Sequence, residues 1–385
     1  MDVKELTWRD ISFKLRKAIG APTLFLDFLP IELLSIVIGP YVEIEGARGV
    51  KRPNLSLLFL SPPGIGKKTY LIEIIKRISR EFNHIGIVSP GSPEGLIDYI
   101  EREKKDSYLI VKDELGRMMR RERTGKHYTS GTMEAIIKLT DGVEERIVFS
   151  QRGEVKEDRV IPGGQYVCFI GASQDFFFEK EDLYGGFLRR LIILSVQKND
   201  NPKGYLLEEG DIDPEEVIRE IVEWLKGILR WIWERGGRVK VRFSPEARSE
   251  INKIATAIEK GEERPYIISL PEFLVKISAL IAVSKRRDEV LKEDVEEAKE
   301  LLKKASKGIM EIQRRLRGEA NTLERMLRHV KKQPAGVPIG VRDLCRSLHL
   351  TKDEVVEALD QLEGIRSWRE GTKRYIMYEP GNSQE

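Results

Sequence analysis

The chain has 385 residues, 41% hydrophobic and 34% charged, enough to bury a core in each of two or three domains. Its 66 basic and 63 acidic residues leave a net charge of +3, so overall charge does not argue for nucleic acid and any such surface has to be a local patch. Two distant cysteines and four scattered histidines give neither a disulfide framework nor metal-ligand spacing, and no apolar run approaches the roughly 20 residues that cross a bilayer; a reducing, cytoplasmic setting without membrane contact is expected.

Residues 1–50 read as an N-terminal helical segment, in which PIELLSIVIGPYVEI is an apolar stretch closed by Gly39 and Pro40. Leu55–Leu60 (LSLLFL) is a continuous apolar run of strand length and predicts a strand buried on both faces. It runs directly into SPPGIGKKTY (Ser61–Tyr70), after which Leu71, Ile74, Ile75 and Ile78 fall at helical spacing. Strand, glycine-rich loop and helix are the context of a phosphate-binding loop. There the N–H groups of Gly64, Ile65 and Gly66 wrap a β-phosphate at the positive end of the helix, and Lys67 reaches the β and γ oxygens. Pro63, Lys68, Thr69 and Tyr70 complete the candidate nucleotide-binding stretch. Two residues depart from G-x-x-x-x-G-K-[ST]: Ser61 stands at the first glycine, and Lys68 stands at the magnesium-binding hydroxyl, with Thr69 displaced by one.

Further on, IGIVS, EGLIDYIEREKK, YLIVKDE, SGTMEAIIKLTDG, the hairpin-like ERIVFSQRGEVKEDRVI, YVCFIGAS and LRRLIILSV alternate as a mostly parallel α/β sheet requires. YLIVKDE ends in Asp113 and Glu114, the order in which a strand exit gives one carboxylate to Mg²⁺ and a second to polarise the attacking water. Asp113 and Thr69 are the candidate metal ligands of an ATP and Mg²⁺ site. From about residue 210 the strand patterns stop, and helical patterns run to about 318.

The last unit reads as a winged helix: NTLERMLRHVKKQ, GVRDLCRSLHL and TKDEVVEALDQLEG as helices, the third capped by Thr351, then strands IRSWRE and KRYIMYE joined at Gly371. The third helix is acidic, with Asp353, Glu354, Glu357, Asp360 and Glu363 against Lys352. The hairpin is basic, with Arg366, Arg369, Lys373 and Arg374 around Trp368. DNA contact through Arg369, Lys373 and Arg374 and docking on a protein both stay open.

YVCFIGASQD, a strand ending in Ser173 and Gln174, and GGFLRRLIIL, a glycine turn leading to paired arginines, resemble the sensor-1 strand and arginine-finger segment of AAA+ ATPases. With RPNLSLLFLSPPGIGKK and LIVKDELG, the chain over about residues 30–305 resembles the MCM-like and helicase-like ATPases carried by plasmids and viruses, often beside a primase. The resemblance implies an α/β AAA+ P-loop ATPase core (mostly parallel sheet) at 51–205, an α-helical lid at 206–318 and a C-terminal winged-helix domain at 319–380. It makes Lys67 the phosphate lysine, Asp113 the magnesium carboxylate, Glu114 the catalytic base, Gln174 or Ser173 the sensor, and Arg190 a finger on a neighbour's nucleotide in a homo-oligomer. The second sensor is unassigned: its position falls on Ser269 or Leu270, and the nearest cations are Arg264 and Lys276.

Two basic insertions follow the same comparison. The first holds Arg117, Arg120, Arg121, Arg123 and Lys126; the second turns at Arg152 and Gly153 where MCM-type rings place a lumen hairpin. There Arg152, Lys156 and Arg159 meet DNA phosphates, offset by Glu154, Glu157 and Asp158. The function implied is an oligomeric DNA helicase or DNA-remodelling motor of mobile-element replication, acting on single-stranded or duplex DNA with a primase or other replication partner. Because Lys68 replaces the hydroxyl, a nucleotide-switched DNA-binding scaffold with little turnover stays open, as does a protein-remodelling ATPase.

Overall fold

Thr7 and Asp10 start the first helix, α1 (Trp8–Ala18), by bonding to each other's backbone N–H in a capping box. Helix α2 (Thr23–Ile38) is apolar on every side, and such a helix must be enclosed; nearly all of it is buried. The stretch Thr23–Tyr41 is long and apolar enough to cross a membrane by length and composition, contrary to the sequence reading, but 83% of it lies buried inside the protein. The computed structural model that shows this describes residues 6–46, 52–62, 64–123, 131–142, 145–151, 154–161, 163–174, 190–196, 212–260, 269–316, 326, 329–330, 337–348, 355, 359, 365–370 and 373–378.

The chain forms two units, Met1–Ile309 and Met310–Glu385. In the first, short β1 (Val42–Ile44) precedes β2 (Ser56–Leu60), α3 (Lys68–Arg80), β3 (Ile85–Val88), α4 (Pro93–Glu103), β4 (Ser107–Lys112), α5 (Leu115–Arg123) and α6 (Thr132–Asp141). A hairpin of β5 (Glu145–Gln151) and β6 (Glu154–Ile161) stands as its own two-stranded sheet before β7 (Val167–Ser173) and β8 (Ile192–Ser195). The main sheet has order β3-β4-β7-β2-β8 with every pair parallel. Every β2 and β7 residue is buried, as a sheet covered on both faces demands. This is an α/β fold with a parallel sheet, compatible with a Rossmann-like core.

Helices dominate thereafter: α7 (Pro214–Trp233), α8 (Pro245–Lys260), α9 (Leu270–Ser284) and α10 (Lys292–Leu316). Two strands interrupt them, β9 (Val239–Phe243) and β10 (Glu289–Val290), where the sequence reading expected none. β9 alternates buried and exposed residues and forms a small parallel sheet with β1 and β10. Helix α2 joins the two halves of this unit, packing on β2, β4 and β7 and also on α7 and α9.

The second unit contains β11 (Ile339–Gly340), α11 (Val341–Leu348), β12 (Ile365–Glu370) and β13 (Lys373–Tyr378), in an antiparallel sheet of order β11-β13-β12. Its core gathers Met326, Val330, Leu344, Val355, Leu359 and Ile376.

Candidate functional site

Parallel strands bring their C-terminal ends to one edge of a sheet, and ligands of open α/β folds sit outside that edge. Here β2 delivers Ser61, β4 delivers Asp113 and Glu114, and β7, lying between them, delivers Ser173 and Gln174. Buried Ser173 joins all three. Its carbonyl accepts from the Ser61 N–H at 3.4 Å, and its Oγ accepts from the Gly116 N–H at 3.1 Å and donates to the Gln174 carbonyl at 3.2 Å.

The loop after β2 turns through left-handed backbone at Gly64 (φ 72°), Gly66 (φ 86°) and Lys67 (φ 48°). Gly66 is required twice over, because a Cβ there would also lie 2.9 Å from Ser61 Oγ and 3.0 Å from Phe25 Cε2. A Cβ on Gly64 would meet nothing within 4 Å, so that side of the loop is open. Ser61 Oγ closes the loop by donating to the Ile65 carbonyl at 2.6 Å.

Helix α3 begins at Lys68, with Lys67 as a left-handed N-cap that makes no side-chain cap bond. The Lys68 ammonium folds back over the loop, donating to the Ser61 carbonyl at 3.0 Å and to Ser61 Oγ. The next residue, Thr69, donates its hydroxyl to Asp113 Oδ2 at 2.9 Å. Motif spacing aligns Lys67 with the phosphate lysine and Lys68 with the hydroxyl; the side chains that bond to Ser61 and Asp113 are those of Lys68 and Thr69. Left-handed Lys67 takes up one residue between Gly66 and the start of the helix. Among the described residues the Lys67 side chain has no hydrogen-bond or ion-pair partner. Tyr70, next along α3, is exposed.

Glu114 is a second left-handed residue (φ 55°), so two of the four such non-glycine residues among those described sit at this edge. Backbone of this kind costs on the order of 1–3 kcal/mol and gathers at functional sites. The Glu114 N–H donates to Asp113 Oδ1 at 3.0 Å, and the Glu114 carboxylate accepts from Arg117 Nη1 of α5 at 2.8 Å. That pair is well exposed, with 61% and 65% of the two side chains accessible. The Thr69 hydroxyl and Asp113 carboxylate are adjacent hard oxygens, a donor set that fits Mg²⁺, which prefers one or two protein oxygens completed by water and phosphate.

Arg190 precedes β8 and lies at the opposite, N-terminal edge of the sheet. Its Nε donates to both Asp141 oxygens at 2.8 and 3.0 Å, and its Nη2 donates to Asp141 Oδ2 at 2.8 Å. The two also line a cavity of about 230 Å³ with Ser56, Ser269 and Lys276; Lys276 is ion-paired to Glu272 at 2.8 Å. Ser56 starts β2 and the loop follows its end, so the two places are separated by about 13 Å of strand. Nothing in the sequence pattern singled out Asp141, which closes α6.

In the β5–β6 hairpin, Arg159 pairs in register with Ile147, and Lys156 falls at the bulge between Phe149 and Ser150. Their side chains, and all of Pro63 and Arg152, lie outside the described residues. In the second unit Arg374 is the register partner of Arg369, and Lys373 is that of Glu370. Arg374 Nη2 donates to Ser367 Oγ at 3.3 Å. The sequence matches no protein-family model, and no curated protein matches it.

Proposed function

We propose that the chain is a AAA+ P-loop ATPase with an α-helical lid and a C-terminal winged helix, binding ATP with Mg²⁺ at the C-terminal edge of the sheet and acting as an oligomeric DNA motor. One observation carries this reading: Lys68 folds over the loop while Thr69 bonds Asp113, so a cation, a hydroxyl and a strand-exit carboxylate meet at the mouth of a glycine-rich turn. The sheet order, with the Ser173 strand between the loop strand and the acidic strand, supports it.

In this reading Lys68 neutralises phosphate charge, and the loop N–H groups hold the phosphates in register. Thr69 and Asp113 would hold Mg²⁺, which would supply positive charge to offset that of the phosphates. Glu114 accepts a proton from the attacking water, and Ser173 fixes the turn that aims it. Arg190, too far from its own loop, completes a neighbouring subunit's site.

ATP turnover by purified protein, with and without single-stranded and duplex DNA, tests the reading. DNA-stimulated turnover supports the motor. Turnover indifferent to DNA removes the motor and leaves protein remodelling. A second reading, a nucleotide-gated switch with little turnover, draws on the Glu114–Arg117 pair, which occupies the base; binding without turnover would favour it.

A further inference from the structure

The β12–β13 hairpin carries chemistry that the ATPase reading does not use. Ile376 points into the core of the second unit, so its neighbours Tyr375 and Met377 stand on the other face. Tyr375 pairs across the hairpin with Trp368, and their rings stack at a centroid distance of 5.9 Å and an interplanar angle of 24°. Both rings are partly accessible. Arg366, two residues before Trp368 on the same face, is exposed and pairs in register with Met377. By strand alternation, positions 366 and 373 share this face with Glu370, while positions 369 and 374 fall on the face of Ile376.

A flat aromatic stack with an exposed arginine beside it fits a chain that alternates flat rings with anions. Bases offer a ring face only when unpaired, since in a duplex each face is covered by its neighbour. An acidic peptide would satisfy the charge and leave the rings without a flat partner. We propose that the outer face of the β12–β13 hairpin, centred on Trp368 and Tyr375 with Arg366 beside them, is a stacking platform for single-stranded polynucleotide. The proposal names the form of nucleic acid the motor engages, and it rests on the hairpin alone, so it stands or falls apart from the nucleotide site.

The test is fluorescence anisotropy on the full chain without nucleotide, using a labelled oligothymidylate of roughly 16 nucleotides and a duplex of the same length. Trp368→Leu, which keeps apolar bulk and removes the ring, should weaken single-strand binding about 5- to 150-fold, the range for one lost base stack. Trp368→Phe should retain most of the affinity. The dependence of log K on log salt should keep its slope in Trp368→Leu and become shallower by about 0.7 in Arg366→Ala, one phosphate contact fewer. Lys68→Ala should bind the oligonucleotide like the parent, which separates this result from any failure of the ATP site. Unchanged single-strand affinity in Trp368→Leu, an equal loss on duplex, or no binding of the oligonucleotide by the parent protein would each overturn the proposal.

Discussion

Lys68 donates through its ammonium to the carbonyl and hydroxyl of Ser61, so the two residues that break the phosphate-loop motif are bonded to each other. Each explains the other. A lysine one place late needs an acceptor where the loop begins, and a serine there supplies a hydroxyl that also closes the turn onto Ile65. Under the proposed reading, the two departures belong to a loop lengthened by one residue.

If Thr69 and Asp113 hold the metal, Thr69→Val should abolish the gain in ATP affinity that Mg²⁺ gives while leaving metal-free binding in place. A titration with and without Mg²⁺ reads this, and an undiminished Mg²⁺ effect in the variant would remove Thr69 from the site.

The Glu114–Arg117 pair sets opposite expectations for its two members. Glu114→Gln should bind ATP normally and lose turnover, because only the proton acceptor is removed. Arg117→Ala frees the carboxylate from an exposed pair worth about 0–1 kcal/mol, so turnover should rise by at most about fivefold. Loss of turnover in Arg117→Ala would mean that the arginine works with the base instead of restraining it.

Burial of Glu32 in α2, with neither carboxylate oxygen partnered among the described residues, pushes its pKa from 4.5 up to about 8. Tyr166 and Cys168 on the β7 side feel its charge, and the thiol is pushed up to about 12, chiefly by burial and then by Glu32. A carboxyl whose folded pKa is raised contributes stability that is complete below 4.5 and is lost as pH climbs towards 8, at up to about 1.4 kcal/mol per pH unit. Glu32→Gln should flatten that decline in denaturant titrations at pH 5 and pH 8. Parallel pH profiles for the two proteins would place the ionisation elsewhere.

Arg190, held by Asp141 at the far edge, predicts complementation between subunits. Lys68→Ala and Arg190→Ala proteins should each be inactive, and mixed assemblies should regain part of the turnover because some interfaces pair an intact loop with an intact arginine. No recovery in assemblies shown to mix would end the role in trans.

Much of this was legible in residue order. The apolar run at Leu55–Leu60 and the spacing of Leu71, Ile74, Ile75 and Ile78 are consequences of burial, and burial recurs as strand β2 and the inner face of α3. What stayed hidden depended on geometry that residue type does not encode. Two successive lysines look alike until the backbone turns left-handed at the first of them. Asp141 and Arg190 are 49 positions apart and meet only because α6 ends beside the start of β8. The alternation of VKVRF in β9 was masked by the helical patterns on either side. Glu32 sits in an apolar run where a lone carboxylate reads as a surface residue, and only the enclosure of α2 on all sides shows otherwise.

The most direct test of the nucleotide site is equilibrium binding of a fluorescent ATP analogue, with Mg²⁺, to the parent protein, Lys67→Ala and Lys68→Ala. The geometry predicts measurable binding to the parent. It predicts a loss of about 10- to 150-fold in Lys68→Ala, the weight of hydrogen bonds to a charged group, and affinity near that of the parent in Lys67→Ala. No binding by the parent would contradict the nucleotide site itself, and loss in Lys67→Ala with retention in Lys68→Ala would restore the motif's own spacing and contradict the lengthened loop.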